Sequence, residues 1–514
     1  MIMKKYILLV ILFFAASGAF GSLQHLFQNL DPLSVAQHFA FYELYPDSTE
    51  GQIALKNGYR LLNMQNVSPA DFFQIPEIDI GFISSLINKW DTPPLKALDD
   101  LQLKMIEKLG QNLKNRRLKT FNCWDEEVFI KAAPEEIDLS RGLFIAELGA
   151  KNKLLIRYYE ACLDLMALQI LPRLASDFTD AQIAAAISHF IFYEMGFRFP
   201  PLSAVPQNID AYTFLPSVLD SRRGVCLGVS ILYLCLAQRL GLPLEIITPP
   251  GHIFVRCGQT NIENTARGTS LPDEAYLSIE TKSLPKRTIK EVIGMAFFNE
   301  AGVYWKKEDY AKAIRLYEKA KQYIPNDPLI DNFLAYNYLF SGQKKKGRSL
   351  LCRLKGFVPD YAVAGDTIVD DYLAGRTNLD GIKAVFAPVD ETRTSILAKQ
   401  KELAVILRRY PRFRAGLLQL ATAYLQLGRQ KEAIDILQKY DKFDSQNPVV
   451  SYYLAALCLE QGDCPAAWRY LTLTQKILRP HRHNPKAIKE LERELKAISP
   501  LSLKDQEKST HKQP

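Results

Sequence analysis

The chain has 514 residues, 48% of them hydrophobic and 23% charged, with a formal net charge of +8. That length accommodates about three domains, and the composition is that of folded rather than disordered protein. The positive charge is spread thinly, with no basic stripe interleaved with aromatics, so no nucleic-acid partner is expected.

The N-terminus has the layout of a secretory signal over residues 1–21. Lys4 and Lys5 supply the positive start, Tyr6 to Ala16 the apolar core, and Ala16 to Gly21 the small residues for cleavage after Ala19 or Gly21. The alternative is an uncleaved anchor, since a span needs ~20 apolar residues and this stretch barely reaches that. A secreted or periplasmic location is therefore expected, with N-terminal membrane anchoring as the alternative and no stable span elsewhere. Export would put the eight cysteines in an oxidising compartment. With no CxxC pair, no metal site and no cofactor is expected.

Residues 22–133 read as a helical N-terminal domain. Ala36–Tyr42 and Gly51–Leu62 are amphipathic and separated by a Tyr45–Ser48 turn, and Ile78–Gly110 holds helices broken at Pro93-Pro94. Cys123-Trp124-Asp125 reads as a buried turn. Residues 134–200 continue as helix: a long apolar-periodic segment, Leu143–Leu171, then Asp180–Tyr193 with Asp177 or Thr179 as cap. His189, among Ala, Ile and Phe, reads as a packed core histidine. The loop Pro200–Tyr212 is placed to line a cleft, with Gln207 or Tyr212 as candidate oxyanion donors.

The chemistry concentrates in Ser221–Cys257. Gly224 precedes a helix whose first turn carries Cys226 and which is apolar on nearly every face from Leu227 to Leu240, ending at Gly241 and Pro243. Leu244–Thr248 is a strand, Pro249-Pro250-Gly251 a turn, and His252 opens a second strand. A thiol attacks as its thiolate, a form favoured at a helix N-terminus and beside an imidazole. A third polar group must fix the imidazole tautomer, and Glu263 or Asn264, beyond the next turn, can do so. Side chains at adjacent strand positions face opposite ways, so only one of the two can serve. Cys235 reads as core packing. Cys257 shares the histidine's strand, and a bridge from it to Cys226 would silence the site.

Several segments resemble the transglutaminase-like superfamily, in particular its bacterial SirB-type branch: Arg222–Gly224, Leu232–Leu234, Arg239–Pro243 and Pro250-Gly251-His252, with Phe192–Phe197, Phe214–Leu219 and Ile137–Ser140 upstream. The resemblance implies a papain-like α+β domain over 134–290, with Cys226, His252 and Glu263 as a catalytic set. Many SirB-type relatives carry proline at the nucleophile position, and the family's third member is usually Asp. Here Cys226 stands in the first slot and Glu263 in the second. Its extra methylene is a displacement on the order of 1 Å, which in a catalytic group can cost 10²-fold.

From about residue 291 a 34-residue period takes over. Ala301 and Tyr304 recur as Ala335 and Tyr338; Ala421, Gly428, Ala433 and Leu437 recur as Ala455, Gly462, Ala467 and Leu471. This is the spacing of tetratricopeptide (TPR) repeats, which stack into a solenoid whose concave face takes a protein or peptide partner. The array spans 291–480 and is degenerate over about 362–413. A capping helix (485–498) and a polar, disordered tail fill 481–514. The expected architecture is thus α+β: a helical N-terminal region, a transglutaminase-like domain and an all-α solenoid.

Overall fold

The computed structural model describes residues 23–64, 81–88, 98–174, 177–200, 212–390 and 392–499. The signal segment, Pro93-Pro94, Gln207 and the tail 504–514 lie outside the described residues.

The N-terminal region is helical, as its periodicity predicts: α1 (Leu23–Gln28), α2 (Val35–Leu44), α3 (Thr49–Leu62), α4 (Gly81–Asn88), α5 (Asp100–Leu109) and α6 (Glu126–Lys131). Side-chain oxygens satisfy the free amides of their first turns. Ser34 caps α2, Ser48 caps α3, Asp99 and Gln102 form a capping box on α5, and Asp125 caps α6. Asp125 is therefore a cap, and Trp124 lies under the Arg141 guanidinium, 4.2 Å from ring to charge centre.

The predicted Leu143–Leu171 helix is two helices, α7 (Leu139–Leu148) and α8 (Lys153–Ile170). Apolar periodicity runs through both, but Gly149 takes φ +81° and ends the first, a conformation open to glycine at little cost. Thr179, rather than Asp177, caps α9 (Asp180–His189), which runs on into a π-helical turn at Phe190–Glu194. His189 is a correction. Its side chain is 61% exposed, pairs with Glu194 and stacks on Tyr193, because it sits on the helix's solvent face in the last turn.

Next come α10 (Leu215–Ser221) and α11 (Cys226–Leu240), then a sheet of β1 (Glu245–Ile247), β2 (Phe254–Cys257), β3 (Thr260–Ile262) and β4 (Lys286–Arg287). The strand order is β3-β2-β1-β4, all neighbours antiparallel. Gly228 lets α11 approach Tyr212 closely; a Cβ there would stand 2.2 Å from the Tyr212 carbonyl oxygen.

A buried charge network fixes the far end of α11. Arg239, with its side chain fully enclosed, donates to Asp164 at 2.8 Å and to Ser140 at 3.2 Å. Arg116 pairs with the same Asp164, and Asn115 donates to Asp138, which also accepts from Ser140. Segments 115–116, 138–140, 164 and 239 are thereby locked into one cluster. Two of the stretches that carry the family resemblance, Ile137–Ser140 and Arg239–Pro243, meet here and hold the helix in place.

The C-terminal half is a helical array. Helix pairs α12 (Ile289–Lys306) with α13 (Tyr310–Tyr323) and α14 (Pro328–Phe340) with α15 (Lys344–Leu354) come first. Then follow α16 (Thr367–Leu373), α17 (Leu379–Phe386) and α18 (Arg393–Arg409), which make up the degenerate stretch. The pairs α19 (Arg414–Gln426) with α20 (Gln430–Asp441) and α21 (Pro448–Glu460) with α22 (Cys464–Leu478) precede the capping helix α23 (Lys486–Ile498). The recurrent alanines at 301, 335, 421, 433, 455 and 467 are all buried, where small side chains let paired helices approach. No described helix is long and apolar enough to cross a membrane.

The three regions share their interior. One apolar cluster runs from Val35 to Leu420, and a second gathers Leu417–Leu495 together with Ile279 and Val363. Breaking the network around Arg239 leaves charge uncompensated in this interior. Asp164→Ala should cost about 3–5 kcal/mol in urea unfolding, whereas Asp100→Ala, at an exposed pair, should move the urea midpoint far less.

Candidate active site

The site is assembled where α11 begins and the β1–β2 turn ends. Cys226 is the first residue of α11, and its N-cap, Val225, offers no side-chain acceptor. The positive end of the helix is therefore turned on the thiol instead of being neutralised by a cap. Cys226 is partly exposed, and all eight cysteines are free of disulfides. Cys257 makes no bridge to Cys226: it lies five residues beyond His252, on the order of 16 Å along an extended strand, and is buried.

His252 follows the Pro249-Pro250-Gly251 turn, where its amide donates to the Pro249 carbonyl at 3.0 Å. It precedes β2 instead of opening it. The strand register decides between the two candidate partners. β2 and β3 pair Val255 with Ile262, and one more step sets Glu263 opposite Phe254. Phe254 and His252, two residues apart, share a face, so Glu263 becomes the diagonal neighbour of His252. Its carboxylate Oε2 lies 2.7 Å from His252 Nε2. Asn264 faces the other way, is buried, and donates to Ser230 on α11 at 3.0 Å. It ties the sheet to the helix, and the alternative of Asn264 as third member falls. The longer glutamate side chain reaches the ring without a gap.

The carboxylate is encased in donors. Oε1 accepts from the Thr265 hydroxyl at 2.6 Å and its amide at 3.0 Å, while Oε2 accepts from the Tyr276 hydroxyl at 2.8 Å as well as from the ring. Burial alone would raise the Glu263 carboxyl, but the hydrogen bonds from His252 and Thr265 outweigh it and hold the group at about 2. An ionised carboxylate only accepts, so Nε2 carries the proton. Nδ1 is then the ring nitrogen left for a second partner, and the Cys226 thiol lies near enough to the imidazole to favour its protonated form. That contact with Cys226, and next the bond to Glu263, outweigh burial and raise His252 to about 9.

Tyr276 gave no signal in the sequence. It follows a proline-broken loop and a short 3-10 turn, with no periodicity to place it. In the fold its ring stacks on Phe254 at 4.2 Å and lies nearly parallel to the His252 ring, 6.0 Å away. Tyr212, a candidate oxyanion donor, meets α11 through its backbone instead, where its carbonyl accepts from Val225 N–H at 3.1 Å. No group of three or more His, Cys, Asp or Glu that could hold a metal occurs among the described residues.

Comparisons with known proteins match parts of the chain. Residues 157–293 match the model of the transglutaminase-like superfamily, a stretch that contains Cys226, His252 and Glu263. Among curated proteins, a UPF0162 protein of Xylella fastidiosa is 26% identical over 180 residues, which cover 30% of this chain and 60% of that protein. F-box only protein 21 of the mouse is 28% identical over 116 residues, 22% of this chain and 17% of that protein. Among solved structures, a thermophilic TPR protein of Thermus thermophilus covers 40% of this chain and all of its own at 19% identity, with a TM-score of 0.20. The TPR2AB domain of yeast Sti1, solved in a complex with pHSP90, covers 40% of this chain and 85% of its own at 16% identity and a TM-score of 0.21.

The raised imidazole and lowered carboxyl set the pH response. Protonation of His252 is favoured by the fold, so its contribution to stability is complete below its free value of 6.5 and is lost as pH rises through about 9. The Glu263 contribution is present above 4.5 and is lost as pH falls through about 2. In an NMR titration the His252 imidazole should titrate near 9. In Glu263→Gln the midpoint should fall by about 1–3 units as the opposite charge is removed.

Proposed function

We propose that the chain is a cysteine-nucleophile enzyme of the transglutaminase-like kind, exported, and carrying a TPR array for protein or peptide partners. The observation that carries the reading is the His252–Glu263 pair standing at the thiol-bearing N-terminus of α11. On this reading Cys226 Sγ attacks the carbonyl carbon of a peptide or glutamine side-chain amide. The thiol proton, already on His252 Nδ1 in the resting pair because the imidazole holds its proton up to about 9, passes to the leaving nitrogen as the C–N bond breaks, while Glu263 holds the ring. The Cys226 backbone N–H, at an uncapped helix start, supports the oxyanion. The resulting thioester passes its acyl group to water, releasing a carboxylic acid, or to an amine, forming a new amide. Cys226, where many SirB-type relatives have proline, supports the enzyme reading.

A second reading has support of its own. The helical array occupies residues 289–498 and shares the domain's interior, which suits a scaffold built on a retired enzyme fold.

An electrophilic peptide-amide probe separates the two. The enzyme reading expects one adduct per native chain, at Cys226, abolished by Cys226→Ala and by His252→Ala. Labelling that appears only after unfolding supports the scaffold. Export is read from the mature N-terminus by mass spectrometry, which should begin at Phe20 or Ser22; a chain starting at Met1 contradicts cleavage.

A further inference from the structure

The repeat array reaches into the candidate active site through one short segment of backbone. After Tyr276, residues 278–282 bend away from the site and pair through a single bridge with residues 361–363 at the end of the second repeat. The Val363 amide donates to the Glu280 carbonyl at 2.8 Å, the Lys282 amide donates to the Tyr361 carbonyl at 2.8 Å, and Thr281 stands opposite Ala362 in an antiparallel bridge. Two backbone hydrogen bonds flanking one bridge are a local clasp between the two segments.

Side chains two residues apart anchor it. Ile279 and Thr281 are both buried, and Ile279 joins the apolar cluster of the last two repeat pairs along with Val363. From the opposite end of the array, His483, just before the capping helix, lies 2.7 Å through Nε2 from the Ser278 carbonyl. Ser278 itself folds the segment's start, since its hydroxyl accepts from the Thr281 amide at 3.0 Å. The strap is therefore held from residues 361–363 and from residue 483, two parts of the array far apart in sequence.

Tyr276 lies two residues before the first of these anchors. Its hydroxyl donates to Glu263 at 2.8 Å and its ring covers one face of the His252–Glu263 pair. The loop before it is tied to the sheet at residues 271 and 273, where Asn261 donates to the Leu271 carbonyl at 2.8 Å and to Asp273 at 2.7 Å and Arg256 donates to Asp273, so the half-buried Tyr276 is suspended between that tie and the strap. We infer that residues 278–282 are an internal strap by which the helical repeats hold Tyr276, a positioning residue, against the His252–Glu263 pair, so that release of the strap loosens that pair. With Tyr276 lifted away, water reaches the carboxylate and screens it from the imidazole. The array edge at 361–363 is then not a vacant peptide site but one already filled by the chain itself.

The inference concerns the same site as the proposed enzyme function, yet its test needs no turnover. In the full chain, amide exchange at Val363 reports docking of the strap, and the imidazole titration of His252 reports the pair. Ile279→Asp, which puts a charge into the apolar anchor, should accelerate exchange at Val363 and lower the His252 midpoint by about one unit, a tenfold change in its proton affinity. Lys282→Pro removes a single strap hydrogen bond without burying charge and should act in the same direction, which guards against misfolding of the first variant. Tyr276→Leu should lower the His252 midpoint while leaving Val363 protected. Faster exchange at Val363 with an unmoved His252 midpoint would overturn the inference, as would an unprotected Val363 in the native chain. Failure of the peptide-amide probe to label Cys226, with these outcomes intact, would instead count against the enzyme reading alone.

Discussion

A carboxylate buried among four hydrogen-bond donors governs the candidate site. An isolated charge at Glu263 could not stay ionised at that depth, since burial of an unpaired carboxylate drives it to neutrality. Its donors come from His252, from the hydroxyl and amide of Thr265, and from Tyr276. Each donor serves the charge and is itself fixed by it: the ring tautomer, the turn after β3, and the loop before the strap. Remove the charge and three elements lose their common point of attachment.

Around that point the molecule is built to keep α11 still. The thiol at the first turn of the helix can meet the imidazole only if the helix neither slides nor rotates. Asn264 and Ser230 join sheet to helix near the start, and the enclosed Arg239 network pins the end. The same network recruits Asn115 and Arg116, so the N-terminal helical region is a structural partner of the catalytic-looking domain rather than an appendage. A buried ion network of this kind contributes more to specificity of arrangement than to net stability, because desolvation offsets much of the attraction.

What could be read in advance was what local chemistry writes into the chain. Alternation and turn residues located the strands, glycine and proline ended α11, and the 34-residue period gave the repeats, because each of these signals acts over a few residues. Glu263 and Asn264 could not be separated, since the choice depends on the register between β2 and β3. Once that register sets Glu263 opposite Phe254, the answer follows from strand geometry. Tyr276 was invisible because it meets Glu263 from a loop without periodicity, and the strap because it works through contacts between segments some 80 to 200 residues apart. His189 misled because an apolar neighbourhood in sequence is not one in space, and the last turn of α9 shows that face to solvent.

The account rests on Cys226, His252 and Glu263 acting as one protonic unit, and the pH dependence of Cys226 alkylation by iodoacetamide, read on the native protein by mass spectrometry, tests this most directly. Rapid alkylation of Cys226 well below pH 8, lost in His252→Ala and weakened in Glu263→Gln, is the result the account predicts. A profile in which Cys226 alkylates no faster than the unfolded chain's thiols, and is indifferent to both substitutions, would contradict it.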